Sequence, residues 1–427
     1  MTSPSTQSSE QDLAPAARAA ADLEDERLLR GHGFAGLVSA FGHRIRSGDL
    51  GSLPVVIGLV IIWAAFGFTT HGDFFDAQNL VNLAVQCAGP GLIAVGIVLV
   101  LLLGEIDLSI GSVSGLSAAI LGVGMVNHGW PFLPVLVLAL AVGAAIGLLY
   151  GFLFTRFGVP SFVITLAGLL TFLGVQLALL NTSGSINLPS DSFIVKFSLF
   201  DYLLPWQAYG LSIVGAGGLF VSDFLANRRR LRAGLSGRSL VGSAVKCVAL
   251  LVVLLAVTYY LATDRGTGVS FVFLVVVVVV VNFFITRTRW GRSIYAVGGN
   301  VEAARRAGIR VNGVYLTVFM LCSMFAVLGG LVSAGNLTAV TLSAGTGDVN
   351  LNAIAAAVIG GTSLFGGRGS AWSALLGVVV VQSIANGLNL MNFAGDAPRF
   401  IVTGIVLLLA VIVDSLSRRS RQSHGAA

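Results

Sequence analysis

Charge is scarce in this chain. Only 10% of its 427 residues are Asp, Glu, Lys or Arg, against about 25% in an average soluble domain. Lysine occurs at Lys196 and Lys246 alone. Neither sits in the glycine-rich setting that a phosphate-cradling Gly-Lys-Ser/Thr loop requires, so nothing predicts nucleotide hydrolysis by this chain. The three cysteines, Cys87, Cys247 and Cys322, lie singly in apolar stretches. Their spacing excludes a CxxC or Cys/His metal motif and a disulfide framework, and reads as small core residues. The five histidines, His32, His43, His71, His128 and His424, fall in tails or loops without HExxH spacing. No metal and no cofactor is expected, and no paired carboxylate or histidine constellation points to an integral membrane enzyme.

What fills the chain instead is apolar: 56% of residues are hydrophobic and 54 are glycine. No water-soluble core could absorb that much apolar surface. Because ~20 apolar residues cross a hydrocarbon layer, and because lipid offers the backbone no partners, the spans must be helices. The pattern predicts an all-α polytopic membrane protein with about 12 transmembrane helices. They are expected over 53–70, 88–104, 109–127, 132–154, 160–180, 203–224, 243–262, 269–286, 314–334, 351–366, 371–390 and 399–414. Residues 1–48 read as a soluble, disordered tail without a secretory core. Residues 49–416 form the transmembrane domain and 417–427 a short tail.

Twelve crossings put both termini on one side, and the basic residues say which. With the N-terminus cytoplasmic, only Lys196, Arg265 and Arg399 of the 25 basic residues fall outside, as the positive-inside rule demands. A single miscounted span would scramble that separation. The net charge of +6 therefore reports orientation, not nucleic-acid binding.

Three segments call for explanation. In the first, Glu105 and Asp107 sit between two apolar runs, followed by Ser109. They are either a polar hairpin tip at a cytoplasmic turn, with Asp107 or Ser109 capping the next helix, or charged groups kept for a path or gate. The second is the cytoplasmic connection 287–311, containing Gly299, Asn300, Glu302, Ala303, Arg305 and Gly308. Residues 301–307 favour helix and Gly308 is a plausible stop. This loop is either an ordinary basic connection or a rigid knob for a soluble partner. The third is the apolar run broken at Gly360, Gly361 and Thr362 through Gly369. Paired interruptions in a transporter point to its gate or binding region, whereas glycines equally serve close helix packing, as Gly111 and Gly115, and Gly143, Gly147 and Gly151, can do. Polar side chains within spans, Gln86, Gln176, Asn181, Asn282 and Asn352, are the better candidates for contacting a solute.

Three blocks, Gly104-Glu-Ile-Asp-Leu-Ser-Ile-Gly-Ser, Ala296-Val-Gly-Gly-Asn-Val-Glu-Ala-Ala-Arg-Arg-Ala-Gly-Ile and Val358-Ile-Gly-Gly-Thr-Ser-Leu-Phe-Gly-Gly-Arg-Gly-Ser, resemble the permease subunits of bacterial ABC importers for monosaccharides, the ribose/xylose group. The likeness runs from about residue 53 to 415 with matching order and spacing. Glu105, where a small residue is commoner, and the extra apolar pair around the arginine-rich turn at 227–239 look like the xylose-permease branch. The resemblance implies a translocation path in the bacterial inner membrane without chemistry of its own. It also implies a cytoplasmic ABC ATPase, an extracytoplasmic sugar-binding protein, a second permease copy and a monosaccharide substrate. On this view the loop at 299–308 docks the ATPase, and Glu105, Asp107, Ser109, Gly360, Gly361 and Thr362 belong to the path or gate. A proton- or cation-coupled secondary transporter would explain Glu105 and Asp107, but not the glycine-flanked cytoplasmic helix.

Overall fold

The computed structural model describes residues 53–180, 184–233, 240–391 and 397–423. The tail expected over 1–48, together with Asn181 and Arg238, lies outside them. The described chain is helical almost throughout: α1 (Leu53–Thr69), α2 (Ala77–Leu102), α3 (Ile110–Gly122, prolonged to Asn127 by a wider turn), α4 (Phe132–Phe157), α5 (Ser161–Leu180), α6 (Pro205–Arg232), α7 (Leu240–Leu261), α8 (Val269–Arg287), α9 (Arg289–Gly299), α10 (Val301–Arg306), α11 (Val311–Leu337), α12 (Val349–Ile359), α13 (Ala371–Leu390) and α14 (Ala397–Ser423). Nine of these, α2 to α8, α11 and α13, are long and apolar enough to cross a membrane. The apolar parts of α1, α12 and α14 are shorter.

Two boundaries differ from expectation for identifiable reasons. The span expected over 88–104 begins at Ala77 and runs through Pro90. Its polar first half, which dilutes the apolar signal, finds partners inside the protein. Asn79 and Asn386 of α13 exchange two amide hydrogen bonds of 2.9 Å each, and Asn79 also donates to the Phe74 carbonyl at 2.8 Å. The span expected over 351–366 stops at Ile359, where glycines turn the chain. The structure also departs from an all-α chain by one small antiparallel pair, β1 (Ser185–Asn187) with β2 (Ala339–Thr341). Three residues on each side are too few for a sequence period to show.

The chain divides into two compact units. One contains the α6–α7 pair, joined within the unit by Ser212 and Thr258, whose hydroxyls lie 3.1 Å apart. Its first helix ends on Arg229, Arg230 and Arg232, cations that suit the negative end of a helix dipole. The other unit contains the remaining described helices and is centred on α2, whose apolar stretch is 89% buried. Around it pack α11, α13, α12 and α8. Gly143, Gly147 and Gly151 of α4 face Val327, Phe319 and Leu316 of α11, so this small-residue stripe serves close helix packing.

Candidate functional site

The three sequence blocks, far apart in the chain, meet within the α2-centred unit. The first begins where α2 ends. Gly104 takes a left-handed φ of 81°, its N–H donates to the Leu101 carbonyl at 2.9 Å, and the Glu105 N–H donates to the Val100 carbonyl at 3.3 Å. This is the Schellman stop, which satisfies the last carbonyls and needs a residue without Cβ at its turn. The chain then folds back along α2. Asp107 lies against Cys322 of α11, whose Sγ is 3.6 Å from Asp107 Oδ2. Cys322 in turn faces Gly96 of α2.

Asp107 is 1% exposed, and its Oδ1 accepts from the Ser109 N–H at 2.8 Å and the Ser109 Oγ at 2.7 Å. The capping contact of the hairpin reading is not made: Ser109 is the N-cap residue of α3 without a side-chain cap hydrogen bond, and Asp107 accepts from Ser109 itself, in the interior and not at a solvated tip. Glu105 is half-buried and its Oε2 accepts from Ser161 Oγ, at the start of α5, at 2.6 Å. Burial pushes both carboxyls above the ordinary carboxylate range, against the hydrogen bonds from Ser161 to Glu105 and from Ser109 and Cys322 to Asp107. Among the described residues neither carboxylate forms a salt bridge.

The second block repeats the device. Past the end of α12, Gly361 (φ 103°) donates to the Val358 carbonyl at 2.9 Å and Thr362 donates to the Ala357 carbonyl at 3.0 Å. The chain then forms a tight loop in which the Ser363 N–H meets the Arg368 carbonyl at 3.0 Å. Gly360 packs directly on the Ser373 backbone of α13. Thr362 is buried, and its Oγ1 has no hydrogen-bond partner among the described residues.

The third block is the helix pair α9–α10. Asn300 caps α10 by accepting from the Ala303 N–H at 2.9 Å, and Gly308 (φ 80°) ends it, with the Ile309 N–H on the Ala304 carbonyl at 3.1 Å. The helix expected over 301–307 is therefore there, one residue shorter. Gly299, Asn300, Glu302, Ala303, Arg305 and Gly308 are all exposed, and Glu302 pairs with Arg305 at 2.9 Å. The opposite side of α9 is buried through Gly291, Ile294 and Val297.

That buried side joins the blocks. The Gly367 N–H donates to the Leu102 carbonyl at 2.8 Å, tying the glycine loop to the end of α2. Gly298 of α9 lies against both, since a Cβ there would strike the Leu102 carbonyl and the Gly367 nitrogen. Tyr295 of α9 donates its hydroxyl to the Gly369 carbonyl at 2.8 Å. The exposed face of α9–α10 thus sits on a backbone junction shared by the ends of α2 and of the glycine loop after α12.

The sequence candidates for solute contact scatter. Gln86 is exposed and Asn282 half-buried, and Asn352 donates to Asp348 Oδ2 at 2.6 Å. Gln176 is fully buried and holds the backbone after β2. Sequence reasoning missed Tyr295, Gly298, Ser161, Cys322 and Asn350. Tyr295 and Gly298 stand beside and in the block that begins at Ala296, but their roles depend on the fold bringing 102 and 367–369 together.

Comparison with known proteins identifies the family of the chain. A family model described as branched-chain amino acid transport system / permease component matches residues 79–411. The chain is 35% identical over 393 residues to the xylose transport system permease protein XylH of Escherichia coli K12, covering 91% of this chain and 95% of that protein. It is 33% identical over 387 residues to XylH of Haemophilus influenzae, covering 88% and 99%. It is 32% identical over 360 residues to the ribose import permease protein RbsC of Escherichia coli K12, covering 84% and 92%. No solved structure matches the chain. The paired helix interruptions thus belong to a chain that is a member of this family of transport-system permease components.

Proposed function

We propose that this chain is the transmembrane permease subunit of an ATP-driven importer and forms the translocation path for a monosaccharide such as xylose. The observation that carries the coupling part is the junction of Gly298, Leu102 and Gly367, with Tyr295 on Gly369. It places an exposed helix pair, suited to a soluble partner, on the ends of two broken helices. The names of the XylH and RbsC relatives support the substrate class.

In this reading the chain crosses the bacterial inner membrane twelve times, with α1, α12 and α14 as the shorter elements and both termini cytoplasmic. Residues 1–48 and 417–427 are tails and 49–416 the membrane domain. Gly299, Asn300, Glu302, Ala303, Arg305 and Gly308 receive a cytoplasmic ABC ATPase, which hydrolyses the nucleotide. An extracytoplasmic binding protein delivers the sugar, and a second copy of the chain completes the path. Glu105, Asp107, Ser109, Gly360, Gly361 and Thr362 form the two turns through which ATPase movement reaches that path.

Proteoliposome uptake tests this directly. With the ATPase and binding protein present, ATP should drive xylose accumulation that survives an ionophore collapsing the proton gradient. Accumulation abolished by the ionophore would favour a secondary transporter using Glu105 and Asp107. Uphill uptake by the chain alone would overturn the proposal.

A further inference from the structure

The start of α3 and the start of α12 meet inside the α2-centred unit. The Gly111 N–H, in the first turn of α3, donates to Asn350 Oδ1, in the first turn of α12. Of the two, α12 is too short to cross a membrane by itself. The 11 residues of α12 span ~16 Å at 1.5 Å per residue, about half of a ~30 Å hydrocarbon core. The start of α3 follows the chain that has folded back at Asp107. Two helix N-termini, each with N–H groups lacking intrahelical partners, therefore meet where buried Gly111 contacts half-buried Asn350.

A second observation marks that region as built for a ligand. Gln176 of α5 is 0% exposed, and its Oε1 has no hydrogen-bond partner among the described residues. That oxygen lies directly against Gly115 of α3. Its Nε2 donates to the Ala344 carbonyl at 2.8 Å and the Leu342 carbonyl at 3.3 Å. Gly111 and Gly115 leave α3 bare, and the Gly345 and Ala344 carbonyls press onto it. The stretch that carries them follows β2 and bends at Gly345 (φ 69°) and Gly347 (φ 65°).

We propose that the facing N-termini of α3 and α12, with Gln176 and Asn350, form an intramembrane binding site for a neutral polyhydroxylated solute, and that the 341–346 backbone fills it in the present closed state. The inference rests on the sugar-permease reading above and adds the site to it. A sugar hydroxyl both donates and accepts. It replaces a loop carbonyl on Gln176 Nε2 while donating to Gln176 Oε1, and a second hydroxyl takes Asn350 in exchange for the Gly111 N–H. Gln176 and Asn350 carry no net charge, which suits a neutral solute in a place where an unpaired charge is costly. The two glycines let the loop withdraw without moving α3.

The full chain, reconstituted with its ATPase and binding protein, decides the matter with D-xylose and D-ribose as probes. Gln176→Ala and Asn350→Ala are each expected to lower xylose uptake about tenfold, the scale of one lost hydrogen-bonding group, and to alter the xylose-to-ribose ratio. ATP hydrolysis stimulated by the binding protein should stay within about twofold of wild type. Gln176→Met, similar in volume but without hydrogen-bonding groups, repeats the test if the alanine variant fails to insert. Uptake unchanged in the variants would overturn the site. So would uptake and hydrolysis falling together at a constant sugar ratio, which marks a mere structural latch. If wild type moves neither sugar while hydrolysing ATP, the sugar-permease reading fails first, and the site with it.

Discussion

Glu105 and Thr362 occupy the same position in two helix stops. Each is the second residue past its helix cap, each follows a glycine in the left-handed region, and each donates its N–H to a carbonyl five residues back, Val100 at 3.3 Å and Ala357 at 3.0 Å. The two breaks are therefore one device used twice, and their loops touch where Gly367 meets Leu102. What differs is the side chain at the stop. Glu105 reaches across to Ser161 of α5, whereas Thr362 stays beneath Gly369. The first stop is thereby tied to α5, and the second to its own glycine loop.

Asp107 holds the returning chain by accepting two hydrogen bonds from Ser109. Asp107→Asn keeps one acceptor in the same place and is expected to unfold within about 1 kcal/mol of wild type. Asp107→Ala leaves the Ser109 N–H without its partner and should cost about 1–3 kcal/mol. Thermal unfolding in detergent separates the two. Equal loss in both variants would mean that the negative charge itself, and not the acceptor, is needed.

Glu105 supplies a pH dependence of defined sign. Its carboxyl is raised by burial, so the folded state binds its proton more readily than the unfolded state. Stability from this group is full below the ordinary carboxylate value and is lost as pH rises through the raised value. Glu105→Gln, neutral at every pH and still able to accept from Ser161, should flatten the stability profile in that window. A profile as steep as wild type would assign the dependence to Asp107 alone.

Much of this was legible in the residues. The twelve apolar runs each overlap a helix, because membrane-crossing helices are written in long continuous apolar stretches. The stop at Gly308 follows from glycine chemistry that a sequence displays openly, whereas the apolar run broken at Gly360 and Gly361 is expected to continue as helix to 366 and ends at Ile359. The extent of α2 was not legible, since Gln78, Asn79 and Asn82 look like a loop until Asn386 supplies Asn79 with a partner from 307 residues away. The β1–β2 pair was hidden for the same reason, being defined by a long-range register and not by a local period. Gln176 was visible as a polar residue in a span, but its hold on the 341–344 backbone depends on a non-local fold.

Tyr295 offers a clean test of transmission. Its hydroxyl donates to the Gly369 carbonyl at 2.8 Å, and removing it as Tyr295→Phe leaves the ring in place. The bond is worth about 0.5–1.5 kcal/mol, small against the stability of the unit. Uptake per ATP hydrolysed should nevertheless fall several-fold, with hydrolysis itself retained. Unchanged stoichiometry would show that the junction works through packing alone.

Packing is tested by two adjacent glycines. A Cβ at Gly298 would strike the Leu102 carbonyl and the Gly367 nitrogen, both backbone atoms that cannot rotate aside, whereas a Cβ at Gly299 meets nothing within 4 Å. Gly298→Ala must therefore push α9 off the junction, at a cost of the order of 1–3 kcal/mol for overpacking. Gly299→Ala keeps the geometry and slightly favours the helix. Transport driven by ATP should collapse in the first variant, while crosslinking of the exposed α9–α10 face to the ATPase persists, and the second should match wild type. If Gly298→Ala transports normally, force does not pass through this contact. If both variants fail, the exposed surface at Gly299, and not the buried one, sets the coupling.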